Sequence, residues 1–352
     1  MKLLPRAAVR KLHDITGLAD GRAGMLRLDL NENLAGCSPR VLAALRRITR
    51  EDLAAYPHYS EARRELARFF RVRPAELALA NGADDALRLL FDAFIERSDE
   101  ILLVEPTFPM YRLYAQLFQA RVRSLRYDAA MKFPLEDVLA ALRGKPPRAM
   151  FLANPNNPTG TLLPRAALRK ILGAASRTLV VVDEAYCEFC GVTVLPWIRR
   201  YPNLVVVRTF SKANGLAGLR LGCAMANGRS ADALRRASQP FTVNAVAVKA
   251  ARAALRDQAY VRRVAAEVVR EREPLARRLS RLGVRTFPSG GNFLLADFGE
   301  RAPRILREMK RRRILLRDCA ADFGRAGFVR ITIGTRAHMR RLGRALREVL
   351  AP

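Results

Sequence analysis

Lysine is scarce in this chain: of 63 basic residues only eight are lysine, namely Lys2, Lys11, Lys132, Lys145, Lys170, Lys212, Lys249 and Lys310. Histidine is scarcer, with His13, His58 and His338, and tryptophan occurs once. The five cysteines (Cys37, Cys187, Cys190, Cys223, Cys319) are odd in number and scattered, which excludes a disulfide framework. Cys187 and Cys190 form a C-x-x-C, but three histidines and no second cysteine pair leave a zinc ion without a ligand set. They are read as ordinary buried thiols, and no metal is expected. Apolar runs fall short of the ~20 residues that span a bilayer. The opening "MKLLPRAAVRKLHD" has no apolar core of signal-peptide length, and Asp14 argues against a transit peptide. The expectation is a cytoplasmic protein without a membrane partner.

What is abundant is arginine, which gives a formal net charge of +30. Such a charge suits a nucleic-acid binder in principle. Here the basic residues are spread along helical stretches such as "EARRELARFF" and "KRRRILLR", with no basic tail. We read the charge as a general replacement of lysine by arginine, and expect no nucleic-acid partner. The field still favours anionic small molecules. The replacement lends weight to each lysine that persists, because guanidinium stays protonated and cannot attack a carbonyl as a free amine does.

A hydrophobic content of 50% and a length of 352 residues suit a folded protein of about two domains. From about residue 75, short β-rich runs alternate with amphipathic helical stretches, the pattern of an α/β domain with a mostly parallel sheet. The runs are "ELALA" (76–80), "EILLVEP" (100–106), "AMFLANP" (149–155), "TLVVVDEAY" (178–186) and "NLVVVRTFSK" (203–212). After about residue 230 a long helical stretch (246–282) leads to strands in "VRTFPSGGNFLLADF", "ILLRD" and "FVRITIGT", with a helix between and another at the end. That predicts a smaller α+β domain. We expect an N-terminal arm at 1–30, a large domain at 31–235 and a small domain at 236–352.

Ligands of open α/β sheets bind beyond the carboxyl ends of the strands. The residues leaving those ends form a set. "NGADD" turns into a helix whose first amides, those of Gly82, Ala83 and Asp84, suit an anion. Phe108, Asn157, Asp183 with Tyr186, and Thr209, Ser211 and Lys212 follow successive strands. The set fits pyridoxal phosphate part by part. Lys212 supplies the amine that forms a Schiff base with the aldehyde. A buried Asp183 keeps the ring nitrogen protonated. Asn157 and Tyr186 donate to the phenolate oxygen, and Phe108 stacks on the ring. The phosphate takes the Gly82–Asp84 amides, Thr209, Ser211 and the guanidinium of Arg220. Each has a plainer alternative: Phe108 as core, Asp183 as a helix cap, Asn157 as a turn residue. Order and spacing make the case.

The chain resembles the class I/II aminotransferases of pyridoxal-phosphate fold type I, and within them the histidinol-phosphate branch. The resemblance rests on "LDLNEN" (28–33), "YPHY" (56–59), "NGADDAL" (81–87), "EPTFPMY" (105–111), "NPNNPTG" (154–160), "VVDEAYCEFC" (181–190), "TFSKANGLAGLRLG" (209–222), "GGNFLL" (290–295), "LLRD" (315–318) and "VRITIGT" (329–335). It implies a homodimer with shared active sites, Tyr56 reaching the partner subunit's cofactor phosphate. It further implies that Arg330 grips a substrate α-carboxylate, that Arg317 meets a substrate phosphate, and that Asn31 lies near the substrate entrance. The implied reaction is ping-pong between an amino donor, glutamate, and a keto acceptor, with threonine-phosphate-type decarboxylation or transamination of other amino acids as alternatives. The chain departs from the branch in three places. "DITGLADGRAG" lacks the usual Pro-Tyr, Leu34–Cys37 replace a proline-rich continuation, and Asn214 stands where an aromatic is common.

Overall fold

The structure is a computed structural model that describes residues 3–10, 12 and 20–350. Residues 13–19, which include much of the tyrosine-less N-terminal stretch, lie outside the described residues, as do residues 1–2 and 11 of the expected arm.

Among the described residues, twelve strands form two sheets. The first strand is β1 (Leu26–Leu28), followed by β2 (Leu77–Ala80), β3 (Glu100–Glu105), β4 (Arg121–Arg126), β5 (Ala149–Ala153), β6 (Leu179–Asp183), β7 (Leu204–Thr209) and β8 (Gly222–Ala226). The C-terminal part adds β9 (Arg285–Thr286), β10 (Phe293–Asp297), β11 (Ile314–Asp318) and β12 (Phe328–Thr332). The larger sheet runs β2-β8-β7-β6-β5-β3-β4. Its pairs are parallel except around β8, which is antiparallel to both β2 and β7. The expected α/β architecture with a mostly parallel sheet is therefore present.

The continuous apolar runs are explained by burial on both faces. Side chains alternate across a strand. Leu102, Met150, Leu152, Val180, Val182 and Val206 enter one core, and Ile101, Leu103, Phe151, Val181, Val205 and Val207 enter the other. Two strands of this sheet escaped the sequence reading. β4 is a charged edge strand with only partly covered side chains, which keeps an edge from pairing further. β8 is built from Gly, Cys, Ala, Met and Ala, small residues with weak strand signals.

The smaller sheet runs β1-β11-β12-β10-β9. β1 pairs in parallel with β11, so the end of the expected arm is a strand of this sheet. The long helical stretch is two helices, Ala245–Leu255 and Gln258–Arg281, broken at Arg256 and Asp257. The first buries Ala247, Ala250, Ala251 and Ala254 in a core of the larger sheet. The second buries Val261, Ala265, Val268, Leu275 and Leu279 in the core of the smaller one. Packing thus divides the chain near Asp257, whereas the sequence pattern suggests 235/236. Composition alone could not separate two Ala/Arg-rich helices that face different cores.

Candidate active site

β2, β3, β5, β6 and β7 all end at one edge of the larger sheet. The smaller sheet closes over that edge, so polar residues from both meet there.

Asp183 ends β6, only 5% exposed. Its Oδ2 accepts from the Tyr111 hydroxyl at 2.9 Å and its Oδ1 from the Ala185 amide at 3.0 Å. Burial raises its pKa to about 6, with the two hydrogen bonds opposing. Tyr111 is wholly buried, its ring tilted on Phe151 and edge-on to Phe108. It was not among the residues singled out from the sequence, although it closes the "EPTFPMY" motif. Nothing local connects a phenol at 111 to a carboxylate at 183; the helix Pro109–Leu117 makes the connection. Tyr111→Phe is expected to raise the Asp183 pKa further, because a donor that favours the carboxylate is lost. Carboxyl-carbon NMR of the cofactor-free chain checks it, with an unmoved titration as the contrary result.

Lys212 follows β7 and directs Nζ to the Leu30 carbonyl at 2.9 Å, with the Tyr186 ring centroid 5.8 Å away. Burial lowers its pKa to about 8. Arg330 and Arg220 add to the lowering, while Asp84 and Glu32 oppose it. A partly buried lysine with that proton affinity is poised to be a nucleophile and base near neutral pH.

The turn at Gly82 has φ +87°, and a Cβ there would sit 2.6 Å from the Arg220 guanidinium. A Cβ on Gly222, the register partner of Ala80 and Thr209, would lie 2.5 Å from the Gly82 carbonyl carbon. The two glycines let the start of the helix Gly82–Phe94 lie against β8, under Arg220. Its cap residue Asn81 makes no side-chain bond to the first-turn amides. Arg220 bonds the Asp84 carboxylate at 3.0 Å and Ser211 Oγ at 3.4 Å. Thr209 Oγ1 accepts from the Ser211 amide. Amides, hydroxyl and guanidinium are thereby gathered at one spot, the donor set a phosphate takes.

On the other side, Tyr186 accepts at its hydroxyl from Asn31 Nδ2 at 2.9 Å, and Asn31 is itself buried, receiving Thr332 Oγ1 at 3.0 Å. Asn157 turns Oδ1 to Arg330, which leaves its Nδ2 as the free donor. Arg330 also donates to the Asp29 carbonyl and keeps its buried Nε without a partner. Burial lowers its pKa, and it forms no ion pair with a carboxylate among the described residues. Arg317 is its register partner on β11.

The structure therefore gathers Gly82, Asp84, Asp183, Tyr186, Thr209, Ser211, Lys212, Arg220, Asn157, Arg330, Arg317 and Asn31 around one edge. Phe108 joins through Tyr111. Tyr56 stands apart: it is 72% exposed, stacked on Phe241 at 4.1 Å, and bonded to none of the others. Cys187 and Cys190 are free, and the described residues hold no cluster of three or more metal-ligating side chains. No helix among them is long and apolar enough to cross a membrane.

Comparison with known proteins bears on what these residues do. Residues 23–346 match the family "Aminotransferase class I and II". The chain is 36% identical over 353 residues to a histidinol-phosphate aminotransferase of Symbiobacterium thermophilum, covering 99% of this chain and 95% of that one. A crystal structure of histidinol-phosphate aminotransferase from Sinorhizobium meliloti in complex with pyridoxal-5'-phosphate superposes with a TM-score of 0.83 at 30% identity, over 92% of this chain and 90% of that one. An L-threonine-O-3-phosphate decarboxylase from Porphyromonas gingivalis is similar at 26% identity with a TM-score of 0.83, over 93% and 100%. With the match spanning both sheets and every strand end described above, this chain belongs to the class I and II aminotransferases.

Proposed function

We propose that this chain is a pyridoxal-phosphate-dependent aminotransferase that passes an amino group between glutamate and a phosphorylated amine, histidinol phosphate. The observation that carries the phosphorylated substrate is the Arg317–Arg330 pair. The two arginines are register partners on neighbouring strands, and neither forms an ion pair with a carboxylate among the described residues. Like charges side by side are unfavourable unless an anion joins them, and the orphaned Nε of Arg330 is a donor still to be used. A phosphomonoester suits that pair.

The residues fit the cofactor. Gly82, Ala83, Asp84, Thr209, Ser211 and Arg220 would hold its phosphate, Phe108 its ring face, and Asn157 and Tyr186 its phenolate oxygen. When bound, pyridoxal phosphate supplies an aldehyde for amines and a ring that accepts electron density. Asp183 keeps a proton on the ring nitrogen, and Tyr111 and the Ala185 amide fix the direction in which its carboxylate points. Lys212 is the covalent anchor. As a free amine it would serve as the base that takes a proton from the substrate carbon and returns it one position away. The Leu30 carbonyl gives that free amine an acceptor. Arg330 orients the substrate through its α-carboxylate or phosphate, and Asn31 holds Tyr186 in place.

A homodimer completes the site in this account, with Tyr56 reaching the partner subunit's cofactor phosphate. The exposed apolar side chains Leu42, Leu53, Tyr56 and Phe241 are the kind of surface a partner covers. Five free cysteines suit the reducing cytoplasm, which we take as its compartment.

The test is to supply candidate amines to the loaded enzyme with 2-oxoglutarate and measure glutamate and carbon dioxide. Glutamate formed from histidinol phosphate without carbon dioxide supports the proposal. Carbon dioxide from a phosphorylated amino acid, with no need for a keto acid, would replace it with decarboxylation.

A further inference from the structure

The segment Asp29–Glu32 leaves β1 and crosses the site as a strap. Three successive carbonyls each accept a side-chain hydrogen bond, two of them from site residues. Asp29 receives Arg330, Leu30 receives Lys212 at 2.9 Å, and Asn31 receives Asn292 Nδ2 at 3.0 Å. The Asn31 side chain holds Tyr186. Asn31 has φ +56°, a left-handed conformation that side chains rarely adopt without outside support. The strap forms no strand of its own, so something must hold it.

Arg22 does so from the N-terminal side. It is 9% exposed, and its Nε and terminal nitrogen bond the two Asp29 carboxylate oxygens at 3.2 and 2.6 Å. The same terminal nitrogen bonds Glu32 at 2.6 Å. One guanidinium thus ties the first and last residues of the strap. Arg27 reaches Glu32 as well, at 3.3 Å, but from a half-exposed position.

We propose that Arg22 is a positioning residue for the reaction. It fixes the strap that seats Arg330, Lys212 and Tyr186, and it neutralises Asp29 and Glu32, the second of which has a field that reaches the Lys212 amine. The charged groups facing that amine are Arg330 and Arg220, which drive its proton off, and Asp84 and Glu32, which retain it. Of these, Glu32 is the one Arg22 governs. Without the guanidinium, Asp29 and Glu32 are left bare, and Lys212 keeps its proton to higher pH. A lysine at 22 would restore the charge but not the planar two-pronged grip. The inference rests on Lys212 being the reacting amine.

The experiment measures the Lys212 pKa in the full-length, cofactor-free protein, from the pH dependence of its carbamoylation by cyanate followed by peptide mass spectrometry. Arg22→Gln is expected to raise it by roughly half a unit or more, and Glu32→Gln to lower it by a similar amount. Arg22→Lys should return the pKa close to the wild-type value, while the loaded enzyme still shows a several-fold higher KM for its amino donor than wild type. Opposite signs from Arg22→Gln and Glu32→Gln cannot come from loosened packing, which would move both the same way. An unmoved pKa in both variants overturns the proposal. If Arg22→Gln does not fold, Arg22→Lys decides, with a several-fold higher KM for the amino donor at a wild-type Lys212 pKa supporting the clamp and a wild-type KM refuting it. If pyridoxal phosphate is not the cofactor, the pKa shifts persist without any Lys212-dependent visible band, which separates failure of the functional proposal from failure of this one.

Discussion

Lys212→Ala should lower transamination by about 10⁴-fold or more, the upper end of what a positioned acid–base group contributes. The side chain has two roles in the account, covalent anchor and proton carrier, and alanine can fill neither. Lys212→Arg should be as inactive, because a guanidinium remains protonated and cannot act as a free amine. In the cofactor-free wild type, Lys212 should lose its proton as pH rises through about 8, the value set by burial and by Arg330. The sign follows from the charge: the lowered pKa makes the ammonium the minority form above that pH. Single-turnover rates with glutamate as donor measure the loss of activity, and cyanate labelling of Lys212 against pH in the cofactor-free protein measures the titration. Retention of more than a few per cent activity in Lys212→Ala would be incompatible with the assignment.

The second large effect is expected at the arginine pair, and it divides by substrate. Arg317→Gln should reduce kcat/KM for a phosphorylated amine roughly 10²- to 10³-fold, as truncating one partner of a buried charged contact does. The glutamate half-reaction should change little, since no phosphate is involved. Arg330→Gln should damage both half-reactions, because its guanidinium also reaches Asn157 and the strap at Asp29. Measuring the two half-reactions separately gives the pattern. Equal losses for phosphorylated and unphosphorylated amines in Arg317→Gln would remove the case for a phosphorylated substrate.

Much of this was legible in the sequence because the large sheet is buried on both faces. "LVVVD" and "LVVVRT" leave little choice but parallel core strands, and such strands deliver their last residues to one edge. Asp183, Asn157 and Lys212 were found that way. What escaped had no local signal. β4 reads as polar because its side chains face solvent at an edge. β8 has side chains too small to declare a strand. β1 is three residues long and makes sense only beside β11, nearly 290 positions later. Tyr111 and Arg22 act through contacts that the fold creates: a phenol on a helix meeting a strand-end carboxylate, and an arginine closing on two acids around a turn. Motif spacing picks out the candidate ligand-facing groups, whereas the groups that aim them depend on packing. Asn157 shows both sides. Its position was foreseeable, but its bond to Arg330, which leaves Nδ2 as the donor, was not.

The most direct test of the central claim is chemical. Full-length protein loaded with pyridoxal phosphate is reduced with borohydride, digested, and the modified peptide sequenced by mass spectrometry. A pyridoxyl group is expected on Lys212 and on none of the other seven lysines. A label on another lysine, or reduction without any label at Lys212, would contradict it.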